Sequence, residues 1–283
     1  MIPEKVHTWL KENGYGERLS LKPVGGGCIN NGMVIETSQG QTFFLKTNRQ
    51  APADMFAREA EGLVALSIPG GPRLPRLLLW DKDFLLLEDL APAPRRLNYW
   101  PEFGRQLATL HSHTSPKFGF EHNNYIGSTP QLNPWTENGY EFFCEYRLLF
   151  QAGLAHKRGL LTADEIRKAE NLGARLQEML PEQPASLIHG DLWSGNAITD
   201  SRGEPAIIDP AAHFGWAEAE LAMTSLFGAF PESFFNAYQE IRPLERGFRE
   251  RFPIYNLYHL LNHLNLFGFG YINQVKTILD MHM

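Results

Sequence analysis

The reading turns on His189-Gly190-Asp191-Leu192-Trp193-Ser194-Gly195-Asn196, followed thirteen residues beyond Asn196 by Asp209 in Ile207-Ile208-Asp209-Pro210. Between them, Ala197 to Thr199 and Ala206 to Ile208 are short and apolar and flank the turn Asp200-Ser201-Arg202-Gly203, so the segment reads as a β-hairpin that returns Asp209 to the side of Asn196. Two acids and an amide then converge. Such a set suits phosphoryl transfer, in which Asp191 accepts a hydroxyl proton while Asn196 and Asp209 hold Mg2+ against nucleotide phosphates, hard oxygen ligands matching a hard cation. Taken singly, each residue is explained as well by satisfying turn backbone groups. The combined spacing around a hairpin selects the kinase-type reading.

Upstream, the first ninety residues read as strands around one helix. Leu19 to Val24, Met33 to Thr37 and Thr42 to Thr47 form a small antiparallel sheet, the last two joined by Ser38-Gln39-Gly40-Gln41. Asp54 can cap a helix that runs to about Leu66, with Phe56, Leu63 and Leu66 on one face. Glu59 lies on that same apolar face, where an unpaired charge is costly, so it needs a cationic partner. Lys46, which alternates with Phe44 onto one sheet face, is the candidate, and its ammonium would also reach the α and β phosphates. Gly25-Gly26-Gly27 stands between two strands, where backbone N–H groups can approach phosphates, although an ordinary hairpin turn would use glycines equally. Leu77 to Trp80 and Phe84 to Glu88 make a second hairpin, and Ala91-Pro92-Ala93-Pro94 reads as a connector.

Beyond Tyr99 the periodicity is helical through Phe103 to His111, Glu141 to Gln151, Thr162 to Leu180, Glu218 to Phe227 and Phe252 to Phe267, with only the Asp200 hairpin expected as strand. The expected architecture is α+β, a two-lobe kinase-like fold. Residues 1–90 form an antiparallel-sheet lobe that binds nucleotide, and residues 91–283 form a larger, mostly helical lobe for catalysis and substrate.

Composition narrows the function classes. The chain has 283 residues, a net charge of −6, 43% hydrophobic residues and two cysteines. No apolar run is long enough to span a bilayer, and Met1 to Leu10 lacks the basic start and apolar core of an export signal. A mildly acidic chain does not suit a nucleic-acid backbone. Two cysteines make neither a disulfide framework nor a cysteine zinc site, so the expected setting is a reducing cytoplasm.

The HGDLWSGN segment with Ile-Asp-Pro after it closely resembles the fructosamine kinase family, within the wider aminoglycoside phosphotransferase and protein-kinase-like fold. The likeness continues through Gly25 to Asn30, Phe43 to Lys46, Met55 to Ala60 and Leu264 to Gly268, and so covers essentially the whole chain. It implies ATP and Mg2+ as cofactors and phosphorylation of the C3 hydroxyl of ketosamines, free or protein-bound, as a step in deglycation. It further implies that Glu88 and Leu90 lie in a hinge whose backbone binds adenine. The family usually has Asp before Leu-Ala after the metal-binding segment, to brace the catalytic loop, whereas this chain has Glu220-Leu221-Ala222. A kinase for another alcohol or amino sugar, or a nucleotide-binding regulatory protein without catalysis, would share part of the pattern.

Trp193 either stacks on the acceptor or fills the space between lobes. Tyr255, His259 and His263 share a helical face; His263 is a candidate wall of the substrate pocket, and zinc would need a third ligand that the sequence does not supply. Cys28, directly after the glycines, is either a small buried side chain or a redox-sensitive thiol, whose oxidation would link a monomer into a dimer. Cys144, beside Phe142 and Phe143, is the candidate inert thiol.

Overall fold

The computed structural model describes residues 2–16, 19–25 and 30–281. In the small lobe, α1 (Glu4–Glu12) precedes β1 (Leu19–Val24), β2 (Asn31–Thr37) and β3 (Thr42–Thr47); α2 (Met55–Leu66) then leads to β4 (Leu77–Asp81) and β5 (Phe84–Glu88). The strands form one antiparallel sheet in the order β1-β2-β3-β5-β4. Alternation along β3 decides what each face carries. Phe43 and Leu45 point to one side and pack with Val6 and Leu10 of α1, while Phe44 and Lys46 point to the other, toward Phe56, Ala60 and Leu63 of α2.

Two expectations for this lobe need correction. The helix α1 was not foreseen, although Val6 and Leu10 at i and i+4 are both fully buried. Asp54 sits at the start of α2 but makes no capping bond; its carboxylate accepts instead from the Tyr125 hydroxyl at 2.6 Å, tying the helix to the large lobe.

The large lobe begins with α3 (Tyr99–His111), β6 (Thr114–Ser115), β7 (Asn124–Ile126) and β8 (Thr129–Gln131). There follow α4 (Gly139–Phe143), a π-helical turn Cys144–Leu149, α5 (Phe150–Lys157) and α6 (Ala163–Met179). The chain closes through β9 (Ala185–Ile188), β10 (Ala197–Thr199), β11 (Pro205–Ile207), β12 (His213–Gly215), α7 (Ala217–Leu226), α8 (Glu232–Gln239), α9 (Phe248–Phe267) and α10 (Ile272–Met281). One large core joins the helices, built around Phe103, Phe142, Leu172, Leu221, Phe234 and Leu261.

The Asp200 hairpin is therefore not the only strand structure here. A second small sheet runs β12-β9-β6, and β7 pairs with β8. These strands span two to four residues, too few for alternation to show, and β9 is buried along its whole length, which removes the polar half of the pattern. They matter for position: β9 runs directly into His189, and β12 follows Asp209 closely. The helix expected over Glu141 to Gln151 is interrupted by the π turn, which directs Arg147 inward to donate to Leu132 O and to Asn133 Oδ1 at 2.6 and 2.7 Å.

Candidate active site

The hairpin β10-β11 pairs Ala197 with Ile207, and Ile208 N–H donates to Asn196 O at 3.1 Å, so the chain returns Asp209 to the flank of Asn196. Asp209 takes φ +60° although proline follows it, a setting that ordinarily favours extended backbone. That unusual turn delivers its carboxylate to Lys46, 2.5 Å away. Lys46 also donates to Glu59 at 2.5 Å, and both side chains of that pair are nearly buried. Burial alone would pull the ammonium down, but the carboxylates of Asp209 and Glu59 outweigh it and hold Lys46 above its ordinary value. The partner that Glu59 required is thus Lys46, reached from the sheet face facing α2.

A second group surrounds Asp191. Its carboxylate accepts from Asn196 Nδ2 at 3.2 Å, and the same nitrogen donates to Asp191 O at 2.8 Å. Burial, the charge on Asp209 and the charge on Glu220 push Asp191 up to about 7, against a smaller pull from the Asn196 amide. A carboxylate tuned in this way is a stronger base than an ordinary one, and it changes protonation state around neutrality. With Nδ2 engaged, Asn196 has Oδ1 left to offer. Among the described residues no three Asp, Glu, His or Cys side chains cluster for metal binding. The pair Asn196 and Asp209 fits Mg2+ that draws its remaining ligands from phosphate and water.

The substitution of Glu for Asp at position 220 leaves the bracing intact. Glu220 accepts from Gly190 N–H at 2.6 Å, from His189 N–H at 3.0 Å and from His111 Nε2–H at 2.8 Å. Burial opposes its charge, but the His111 bond and the others hold the carboxyl below the usual range. Burial in turn keeps His111 neutral, so that its Nδ1 accepts from the Tyr238 hydroxyl at 2.8 Å. Gly190 is required at this point: its φ is +83°, and a Cβ would fall 2.2 Å from Ala211 O. His189 carries the brace across the site by donating Nε2–H to Ile208 O at 2.8 Å, next to Asp209. The sequence reading missed His111 and Tyr238; the only trace of the former is a histidine closing the apolar face of Phe103, Leu107 and Leu110.

Aromatic rings flank the Asp191 loop. Trp193 is half-buried and folds back over Gly195, where a Cβ would lie 2.3 Å from the ring. Its edge meets Phe227 at a centroid distance of 6.1 Å, and Ser194 Oγ–H donates to Phe227 O, fastening the loop to the end of α7. Phe227 continues to His263 at 4.5 Å, which is flanked by Phe267 and Tyr271 at 5.4 and 5.2 Å. Burial lowers His263 and takes His259 down to about 3, so both are neutral rings. Phe227 and Tyr271 were absent from the sequence reading, and no spacing rule links them to Trp193.

Glu88 and Leu90 stand where the small lobe meets the connector, Leu90 with its side chain buried. Glu88 N–H is committed to Arg76 O at 2.9 Å. Gly25 is exposed at the end of β1, whereas Gly26, Gly27 and Cys28 lie outside the described residues. Cys144 is half-buried, and burial together with Glu145 pushes its thiol up to about 11, which keeps it protonated and unreactive.

Comparison with known proteins places the whole chain among related sequences and folds. A family model described as fructosamine kinase matches residues 1–283. A Synechocystis protein designated a ketoamine kinase is 41% identical over 91% of this chain and 88% of its own length. The chloroplastic protein-ribulosamine 3-kinase of Arabidopsis thaliana is 37% identical over 100% of this chain and 89% of its own. Among solved structures, a Thermobifida fusca protein designated a fructosamine-3-kinase superposes with a TM-score of 0.84 at 33% identity, covering 93% of this chain and 94% of that one.

Proposed function

The chain belongs to the fructosamine kinase family, and on that premise we propose that it transfers the γ-phosphoryl group of ATP to the C3 hydroxyl of a ketosamine, the Amadori product of a sugar and an amine. The observation that carries this reading is two bonded pairs, Lys46 with Asp209 and Asn196 with Asp191, set side by side by the Ile208 N–H bond to Asn196 O, with aromatic rings beside Asp191.

Asp191 would accept the proton of the acceptor hydroxyl as its oxygen attacks the γ-phosphorus and ADP departs. Asn196 and Asp209 would hold Mg2+, which supplies positive charge against the phosphate oxygens. Lys46, kept charged by its two carboxylates and oriented by Glu59, would hold the α and β phosphates. Glu88 and Leu90 would present backbone groups to adenine, and Gly25 with its neighbours Gly26 and Gly27 would cover the phosphates. Trp193 and His263 would line the acceptor pocket. On this reading residues 1–90 are the nucleotide-binding lobe, and residues 91–283 carry the catalytic and metal-holding groups and bind the acceptor. A 3-phosphate leaves more readily than a hydroxyl, so its later elimination, followed by hydrolysis of the remaining carbon–nitrogen bond by water, would free the amine.

Among the described residues no helix is long and apolar enough to cross a membrane, and we place the activity in the cytoplasm, acting on small ketosamines or on glycated protein. The test is ADP release over a panel of ketosamines, amino sugars and amino alcohols, with Mg2+ present or chelated. Release driven by amino sugars or amino alcohols but not ketosamines would overturn the substrate assignment, and release unaffected by chelation would overturn the metal assignment.

A further inference from the structure

Arg73 lies between α2 and β4, outside every motif recognised in the sequence, and bonds in three directions. Its guanidinium donates to Glu88 Oε1 at 2.5 Å and to Asp200 Oδ2 at 2.9 Å, while its carbonyl accepts from Ile207 N–H at 2.8 Å. Glu88 is the last residue of β5. Asp200 turns the β10-β11 hairpin, and Ile207 ends β11 two residues before Asp209.

The surroundings concentrate the same link. The connector is sewn to the hairpin by Ala93 N–H to Asp200 O at 3.0 Å, by Thr199 Oγ1–H to Ala93 O at 2.6 Å and by Arg96 N–H to Gly203 O at 3.2 Å. Those bonds join the hairpin to the chain after the hinge. Arg73 joins it to the small lobe before the hinge. Asp200, with its side chain fully buried, is prepared for this cation: its other oxygen accepts from the Arg202 and Glu204 N–H groups at 2.8 and 3.0 Å, and these bonds overcome burial to hold it below the usual carboxylate range.

We propose that Arg73 is a positioning residue that fixes the distance between the hinge at Glu88 and the hairpin carrying Asn196 and Asp209, so that the adenine and the metal-bound phosphates of one nucleotide are engaged together. The assignment rests on the nucleotide site described above. Arginine suits the task because one planar fork presents donors to two carboxylates in different directions, whereas the single ammonium of lysine cannot hold both in the same geometry. Loss of the fork lets hinge and hairpin drift apart without touching the acceptor wall, so nucleotide affinity falls while acceptor affinity does not.

The experiment is MgATP binding by calorimetry, with steady-state KM for both substrates, in the parent, Arg73→Met, Arg73→Lys and Glu88→Gln. We expect Arg73→Met to weaken MgATP by about tenfold, the ordinary range of a coupling between two sites, with the acceptor KM within about twofold of the parent. Arg73→Lys should fall between the two. Glu88→Gln, which leaves Asp200 and its buried bonds alone, should shift MgATP in the same direction by less and guards against a folding failure in Arg73→Met. A lowered melting temperature with MgATP affinity unchanged in all three variants would make Arg73 a purely structural residue and overturn the proposal. Calorimetry needs no acceptor, which separates the two claims. Weakened MgATP in a protein that phosphorylates no ketosamine would refute the substrate reading and leave Arg73 in its role. Normal ketosamine turnover with unaltered MgATP affinity would do the reverse.

Discussion

The two walls of the site are built on opposite principles. On the proposed phosphate wall, charges are locked to one another: Lys46 lies 2.5 Å from both Glu59 and Asp209, and the loop of Asp191 hangs from two backbone N–H bonds to the buried carboxylate of Glu220, which His111 holds from the other side. On the proposed acceptor wall, Trp193 meets Phe227 edge to face, the His263 ring lies tilted against Phe227, Phe267 and Tyr271, and Phe267 is 50% exposed. Charged geometry is unforgiving and suits a nucleotide that never changes. Aromatic surfaces tolerate shape variation, as an acceptor family differing in sugar length and amine would require.

The sharpest break of this contrast is at Asp191. Asp191→Asn keeps the shape and the Asn196 contact but removes the base, and turnover at saturating substrate should drop by about 10² to 10⁴ while MgATP binding stays close to the parent. Equal turnover in the two proteins would remove Asp191 from its role.

Next in size is a distortion of the phosphate wall from behind. Gly62 of α2 rests on the segment after Asp209, where an added Cβ would lie 3.3 Å from Ala212 Cβ and 3.4 Å from Pro210 Cγ. Gly62→Leu cannot fit there and should lift α2, separating Glu59 from Lys46 and lowering turnover by about tenfold or more, since displacements of an ångström commonly cost that much. Val64→Leu, on the exposed side of the same helix, should be silent. Matching rates for Gly62→Leu and Val64→Leu would show that the α2 contact does not hold the ion pair.

These two predictions rest on features of unequal legibility. The pairing of Lys46 with Glu59 could be read from sequence because a carboxylate three residues after Phe56 and four before Leu63 must face the sheet, and strand alternation put Lys46 opposite. The hairpin returning Asp209 was legible for the same local reason. The positive φ of Asp209 was not, because the following proline argues for extended backbone. Of the proposed acceptor wall only Trp193 and His263 were legible; Phe227 and Tyr271, from the end of α7 and the turn Phe269–Tyr271, join them only by tertiary packing. Arg73 escaped for a related reason: its partners lie 15 and 127 residues away, with no periodicity connecting them.

A smaller effect separates the walls by pH. Asp191 accepts a proton only when ionised, so with its carboxyl near 7 the value of kcat/KM for the acceptor should fall as pH drops through about 7, approaching tenfold per unit below that point. Because the charge of Asp209 helps to raise that value, saturating Mg2+ should move the acid limb to lower pH. A limb that stays in place across a magnesium titration would contradict the coupling.

The mildest change expected is on the tolerant wall. Trp193→Ala should alter preference among ketosamines by several-fold, with ATP affinity within about twofold, given that an aromatic contact contributes about 0.5–1.5 kcal/mol beyond its buried area. Selective loss of ATP affinity would place the ring on the nucleotide side.

The most direct test of the account is the fate of labelled phosphate in a single turnover of the parent with γ-labelled ATP, Mg2+ and a fructosyl-lysine acceptor. The label is predicted to appear on the C3 oxygen of the ketosamine, in an amount matching the ADP formed, and to be lost in Asp191→Asn. Label recovered as inorganic phosphate, or on another hydroxyl of the acceptor, would contradict it.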